Sequence, residues 1–369
     1  MTEFSPADRL FMGRALRLAR RPGQPPHPNP RVGCVLVRDG RIVGEGWHER
    51  AGEPHAEAMA LQRAGEQASG ATAYVTLEPC SHHGRTPPCS DALLAAGVVR
   101  VVAGMTDPNP GVAGRGLRRL RSAGLEVGQG LMAAEAAALN PGFIHRMRHG
   151  RPFVRLKSAA SLDGRTAMAS GESRWITSPQ ARADVHRWRA RSDAILTGMG
   201  TVRADNPRLD VRDAGLTEPR QPRRVVLDRR LQTPTDAALL KGHGATLFHG
   251  PEVEAARVRA LTRAGARCVE LPEAPGGLDL SAALDWLGRH EVNEVLVEAG
   301  PVLGGGLFRA GLVDEWLLYQ APHLMGDSAR PLLHWPGLDE MSQRRPLQVM
   351  DCRMVGPDLR LTLRPAAAS

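Results

Sequence analysis

The sequence predicts an α/β protein of two domains, and three observations carry that reading. The chain has 369 residues, more than one hydrophobic core usually serves. Short apolar strands alternate with helical segments through both halves, the pattern of a largely parallel sheet covered by helices. Between the halves, Gly150-Arg151-Pro152 stops one helix and a new strand begins at once, which predicts domains at residues 1–148 and 149–369.

The first domain opens with apolar residues at helical spacing (Leu10, Ala15, Leu18) interrupted by arginines, unlike the apolar stretch of a signal peptide. Next, "RVGCVLVRDGRIVGEGW" alternates around Asp39-Gly40, where glycine tolerates a tight turn, so residues 31–47 read as a β-hairpin. A helix at 55–65, a strand at 72–78, a helix at 89–97, a strand at 98–105, a helix at 114–124 and a short strand at 125–127 follow. One helix over 131–150 ends the domain. In the second domain, strands at 153–160, 193–199, 223–228 and 245–249 precede a helix at 254–265, a strand at 267–271, a helix at 280–290 and a strand at 294–300. A helix at 303–311, a strand at 315–320 and a C-terminal hairpin complete it.

The composition, 42% hydrophobic and 24% charged, suits a globular protein with buried cores. Net charge is 48 − 39 = +9, which favours anionic partners. The arginines are dispersed and interleaved with acids, and aromatics are only 4%, so no basic tail or stacking platform for nucleic acid stands out. A phosphorylated small molecule is the expected partner, with no nucleic acid and no membrane, since no run reaches the roughly 18 apolar residues of a membrane helix. Five scattered cysteines resemble no disulfide framework and point to a reducing cytoplasm.

Two segments carry chemistry. "PHAEAMA" sets His55 and Glu57 two apart at the start of a helix, and "LEPCSHHGRTPPC" adds Cys80 and Cys89. Catalytic zinc takes three protein ligands and leaves a position for water, and His55, Cys80 and Cys89 supply three. A continuous helix, turning about 100° per residue, would point the two cysteines apart. Gly84, Pro87 and Pro88 make a loop instead. Each cysteine follows a proline, as at a helix start, where the dipole favours the thiolate a metal needs. Glu57 is not needed as a ligand, and a carboxylate beside the site can take a proton from the attacking water and pass it to a leaving amine, as in zinc deaminases with an H-x-E and a P-C-x-x-C motif. His-x-Glu alone is usually a solvated helix end, and two cysteines nine apart are usually ordinary buried thiols; their combination and order select the site. His82 and His83 are further ligand candidates, read rather as substrate-facing or solvated loop residues. In the second domain, "EVLVEAGPVLGGGLF" reads as strand, glycine-rich turn and helix, with Gly304, Gly305 and Gly306 letting amides close on an anion, or simply making a tight turn.

"HPNPRVGCVLV", "GEGWHERAGEPHAEAMAL", "TLEPCSHHGRTPPCSDAL" and "DPNPGVAGRG" together resemble the bifunctional pyrimidine deaminase/reductase family of riboflavin biosynthesis. The eight-residue gap between the cysteines separates it from tRNA adenosine and cytosine deaminases, whose cysteines are three apart. The stretch from "RPFVRLKSAASLDGRTAMASG" through "TGMGTVRADNPRLDVR" resembles the reductase half, so the resemblance covers nearly the whole chain. It implies a cytidine-deaminase-like three-layer domain followed by a dihydrofolate-reductase-like α/β domain. It implies one Zn²⁺ per chain on His55, Cys80 and Cys89, Glu57 as proton carrier, and Asn29 and His48 lining the pocket.

The same resemblance implies NADPH at Ala159, Trp175, Thr201, Asp205 and the loop Gly300, Pro301, Val302, Leu303, Gly304, Gly305 and Gly306. It implies the ribosyl phosphate at Ser173, Arg189, Leu209, Arg212 and Glu298, where arginine forks suit a phosphate. Lys157 and Glu298 are candidates for moving protons. Arg229 stands where family members often carry a small serine beside the cofactor, and its charge could assist a 2′-phosphate. Related enzymes associate through the reductase half, so a homo-oligomer is expected. The competing readings are a nucleoside or tRNA deaminase with an appended reductase-like domain, and a zinc-stabilised basic RNA-binding protein.

Overall fold

The computed structural model describes residues 3–21, 23–81, 88–212, 214–217 and 219–366. The chain divides into two compact units, Met1–Gly150 and Arg151–Ser369.

In the first unit the elements are α1 (Pro6–Ala19), β1 (Gly33–Arg38), β2 (Arg41–Trp47), α2 (Ala56–Ala64), β3 (Thr72–Val75), α3 (Cys89–Ala95), β4 (Arg100–Ala103), α4 (Arg115–Ser122), β5 (Glu126–Gln129), α5 (Ala133–Ala137) and α6 (Pro141–His149). The sheet runs β2-β1-β3-β4-β5, with β1 antiparallel to both neighbours and β3, β4 and β5 parallel. Alternate residues of β1 face opposite ways, as strand geometry requires. Cys34 and Leu36 pack with Ala56, Ala60, Leu93 and Leu117, while Val35 and Val37 pack with Met12, Leu16 and Leu131. The result is a three-layer helix–sheet–helix sandwich. The expected single helix over 131–150 is two, because Asn140 leaves the helical path to accept from the amide of Arg31 (2.7 Å) and donate to its carbonyl (2.8 Å), and Pro141 starts α6 afresh.

The second unit contains β6 (Phe153–Ser161), β7 (Arg165–Ala167), α7 (Pro179–Arg191), β8 (Ala194–Gly198), α8 (Met199–Asp205), β9 (Arg223–Leu227), β10 (Ala245–His249), α9 (Ala255–Arg263), β11 (Ala266–Glu270), β12 (Glu273–Ala274) and β13 (Gly277–Leu278). It continues with α10 (Leu280–Arg289), β14 (Glu294–Glu298), α11 (Pro301–Arg309), β15 (Glu315–Ala321), β16 (Arg330–Pro331), β17 (Leu347–Val355) and β18 (Asp358–Pro365). Its main sheet has the order β11-β10-β9-β8-β14-β6-β15-β18-β17. The strands from β11 to β15 are parallel, and β18 and β17 close that edge as the antiparallel C-terminal hairpin. Central strands such as β14 are apolar on both faces: Val295 and Val297 join one core and Leu296 another, as expected of a parallel sheet covered on both sides.

Two helices here were absent from the sequence reading. Helix α7 starts at Ser178, whose hydroxyl accepts from the Ala181 amide, with Pro179 in the first helical position. Helix α8 begins at Met199, where the strand reading had run one residue too far.

Candidate active sites

In the first unit, His55 is the residue preceding α2, and Glu57 lies in its first turn. Helix α2 lies hard against β2: a Cβ on Gly46 would fall 2.0 Å from the Ala56 carbonyl oxygen, so glycine is required for this approach. Helix α3 begins at Cys89, whose amide donates to Cys80 Sγ at 3.3 Å. Cys80 itself lies in the loop after β3, so the reading of a helix start holds for Cys89 and not for Cys80. His55 Nδ1 is 3.6 Å from Cys80 Sγ and 3.3 Å from Cys89 Sγ, and the three donor atoms lie within 4.8 Å of one another.

The two thiols are electrostatically unequal, one sharing its proton with the other. Hydrogen bonds from the Cys89 thiol and from His55 hold the Cys80 thiol below its ordinary pKa, and Cys89, as proton donor of the pair, is held above it. Glu57 is almost fully buried, and burial, with the neighbouring Cys80, pushes its carboxyl up to about 7. His48 Nδ1 donates to the Pro54 carbonyl (3.1 Å), leaving Nε2 to accept from the Asn29 amide (3.0 Å). Burial lowers its pKa, which favours this neutral form. Its ring stands edge-on to His55, 5.3 Å between centroids. His82 and His83 lie outside the described residues.

In the second unit Lys157 and Ala159 lie on β6, Glu298 ends β14, and Thr201 and Asp205 lie on the helix that follows β8; the carboxyl ends of parallel strands are where such sheets present a ligand crevice. Lys157 and Glu298 are register partners on β6 and β14. Arg189 reaches from α7 to grip Glu298 with Nε and Nη2 (2.5 and 2.9 Å), and its Nη1 donates to the Asp210 carbonyl (2.9 Å). Burial works to raise the Glu298 pKa, but Arg189 and Lys157 hold it down to about 2. Burial lowers Lys157, with Glu298 opposing. Arg212 pairs with Asp210 at 3.0 Å, and Arg174 reaches Asp205 at 3.2 Å. Trp175 is exposed beneath the Arg182 guanidinium, and Leu209 is buried with φ +49. Ser173 lies in the loop before α7, Ala159 on β6, and Thr201 and Asp205 on α8.

Two expectations change. The triple glycine makes no turn: α11 starts at Pro301, after Gly300, so Gly304, Gly305 and Gly306 lie inside it. A Cβ on Gly305 would sit 2.1 Å from the His334 carbonyl oxygen, so this glycine admits a neighbouring backbone. The amides without an intrahelical partner are those of Gly300, Val302 and Leu303, since Pro301 has no N–H, and Leu303 lies beside Gly198, just before α8. Arg229 is held by both oxygens of Glu273, on a cavity of about 340 Å³ also lined by Arg230, Glu252, Glu254 and Arg257. Its charge is therefore already partnered. Two further acids lie outside the expected set: Asp210, which pairs with Arg208 and Arg212, and Glu78, buried three residues beyond the end of β3.

A zinc-binding deaminase with a candidate His-Cys-Cys cluster, joined to an α/β reductase, is the class this architecture fits. Residues 5–105 match the cytidine and deoxycytidylate deaminase zinc-binding region, and residues 152–361 match the RibD C-terminal domain. The riboflavin biosynthesis protein RibD of Escherichia coli (strain K12) is 53% identical over 369 residues, covering 96% of this chain and 99% of that protein. The Haemophilus influenzae RibD is 48% identical, covering 99% of each. Among solved structures, Acinetobacter baumannii RibD superimposes with a TM-score of 0.91 at 44% identity, covering 98% of this chain and 99% of that one. A Thermotoga maritima diaminohydroxyphosphoribosylaminopyrimidine deaminase/5-amino-6-(5-phosphoribosylamino)uracil reductase gives 0.83 at 33% identity, covering 98% and 99%. The chain belongs to the RibD family: it is a bifunctional deaminase and reductase of riboflavin biosynthesis. Because the relatives match through both halves, the tRNA-deaminase alternative is not favoured. Among the described residues, no helix is long and apolar enough to cross a membrane.

Proposed function

We propose that the first unit removes an exocyclic amine from 2,5-diamino-6-ribosylamino-4(3H)-pyrimidinone 5′-phosphate, and that the second then reduces the ribosyl side chain to ribityl with NADPH. The observation that carries this reading is the convergence of His55 Nδ1 and the Cys80 and Cys89 sulfurs beside the buried Glu57. Two sulfurs and one imidazole nitrogen form a donor set that suits Zn²⁺, and three is the number a catalytic site takes from protein. Held by His55, Cys80 and Cys89, zinc would supply Lewis-acid activation of water.

The chain's own residues do the rest. Glu57, poised near neutrality by burial, accepts the proton of the attacking water and delivers it to the leaving amine, so the ring carbon exchanges C–N for C–O and ammonia departs. The Asn29 amide, held through one N–H by Nε2 of neutral His48, offers its other N–H and its carbonyl to the edge of the pyrimidine.

In the second unit, NADPH would supply hydride to the sugar carbon bonded to nitrogen. Thr201 and Asp205, with the α11 start at Gly300, Pro301, Val302 and Leu303, flank its place with Ala159 and Trp175, while Gly304, Gly305 and Gly306 pack within the helix. Ser173, Arg189, Leu209, Arg212 and Glu298 hold the ribosyl phosphate, and Lys157 beside Glu298 supplies the proton taken up with the hydride, so that the bond from the sugar carbon to the ring oxygen is replaced by C–H and O–H as the ring opens. Association of two copies through this unit would cover edge strand β17, where Val349 and Met354 are exposed. Five free cysteines suit a reducing cytoplasm.

The test is a coupled assay on the full chain that follows ammonia and NADPH together. NADPH consumption that begins only after deamination is expected, with ammonia release proportional to bound zinc. Consumption with the undeaminated substrate alone would overturn the order of steps.

A further inference from the structure

The carboxylate of Glu78 is among the most heavily bonded acceptors in the first unit. It is 4% exposed, and it accepts from four backbone amides: Asp107 (3.0 Å), Gly114 (2.8 Å), Gly116 (2.9 Å) and Leu117 (3.2 Å). Gly116 and Leu117 belong to the first turn of α4, where amides lack intrahelical partners. The residue that should cap them, Gly114, has no side chain and a positive φ of 74°. Glu78 therefore caps α4 from a different part of the chain, and its negative charge complements the helix dipole. The same carboxylate draws in Asp107, closing the Asp107–Gly114 segment of the "DPNPGVAGRG" motif.

Glu78 is also two residues before Cys80. Its own amide donates to the Met105 carbonyl (2.9 Å), and Gly116 lies so close to Pro79 that a Cβ there would be 2.0 Å from the Pro79 carbonyl oxygen. On the other side of Cys80, its carbonyl accepts from the Ser90 amide in α3 (3.1 Å). The Cys80 segment is thus clamped between the start of α3, which brings Cys89, and the start of α4, which Glu78 holds.

We propose that Glu78 is a positioning residue for deamination: by capping α4 in trans and closing the 107–114 loop, it fixes Cys80 at the distance from His55 and Cys89 that the metal requires. The inference rests on the zinc reading of these three residues. A glutamine has only one acceptor oxygen and turns an N–H₂ toward amide donors, so Glu78→Gln strands buried amides. Glu78→Asp keeps the charge on a shorter arm.

The test uses the full-length protein loaded with Zn²⁺ or with Co²⁺, whose thiolate absorption reports sulfur coordination. In Glu78→Gln the metal should be released to a chelator about 10- to 100-fold more readily, the range for partners that orient ligands, and kcat/KM for deamination should fall in parallel. Glu78→Asp should lie between Gln and the parent, and the reductase assay should not change. Measurements are made well below the unfolding temperature, with far-UV circular dichroism confirming the fold; if Glu78→Gln fails to fold, Glu78→Asp decides. A variant that melts earlier but binds metal, absorbs as the cobalt form and deaminates like the parent would overturn the positioning role. If the parent itself bound neither metal, the zinc reading would fail instead.

Discussion

The two units place their chemistry differently. In the first, three donor atoms from segments 25 and 9 residues apart in sequence meet within 4.8 Å, with Cys89 and the adjacent Glu57 buried and His55 and Cys80 half-buried. In the second, the expected residues spread over β6, α7, α8, β14 and α11, and several are already engaged: Arg189 with Glu298, Arg212 with Asp210, Arg174 with Asp205. A metal demands convergence to bonding distance, whereas a dinucleotide and a sugar phosphate are long and can be met along a crevice by backbone amides and ion pairs. The first site is therefore defined by a few side chains, the second by the path of the sheet.

The sharpest break of that contrast is Glu57→Gln. It should lower deamination by about 10²- to 10⁴-fold, the usual contribution of a positioned acid/base, without changing bound metal or the reduction of already deaminated intermediate. Deamination within tenfold of the parent would remove Glu57 from the chemistry.

Arg189→Met should affect the other unit first through stability, because it leaves the Glu298 carboxylate buried without its guanidinium. Breaking a buried pair costs about 3–5 kcal/mol, which denaturant unfolding of the full chain would register, and adding Glu298→Gln should recover part of it. The sign with pH follows from the depressed Glu298 pKa. The parent's ion pair contributes fully above about pH 4.5 and is lost as pH falls toward about 2, whereas the variant should show no such loss over that window. An acid titration of unfolding midpoints for both proteins checks it.

A smaller effect separates the glycines of α11. Gly305→Ala should destabilise by about 1–3 kcal/mol, because it forces the His334 backbone away. At Gly306, where a Cβ meets only the tip of Leu280 at 3.7 Å, alanine should stabilise by up to about 1 kcal/mol through helix propensity. Equal effects at both positions would return the segment to a ligand-binding turn. The smallest change is expected from Arg229→Ser. With the guanidinium committed to Glu273, the KM for NADPH should stay close to the parent's, and a tenfold rise would show that the arginine reaches the cofactor.

What could be read from the sequence follows the same division. His55, Glu57, Cys80 and Cys89 were legible because zinc chemistry restricts residue type and because prolines punctuate the loop. The hairpin at Asp39-Gly40 and the strand–helix alternation of both sheets were legible from local pattern. Helix α7 escapes the apolar pattern despite its Ser178-Pro179 start, since its buried residues are only Ala181, Asp184, Val185 and Ala190 and arginines recur along the rest of it. The Gly304–Gly306 run reads both as part of a helix from 303 and as an anion-binding turn, and nothing in sequence shows that His334 comes within reach of Gly305. Glu78 was invisible for the same reason: its four donors lie 29 to 39 residues downstream.

The five strands of one sheet and the nine of the other share no member, and the chain passes between them at a single point near Gly150. Translation of this polypeptide therefore delivers the two catalysts in a fixed one-to-one ratio. Adjusting their relative throughput falls to substitutions within either half, since expression level scales both together.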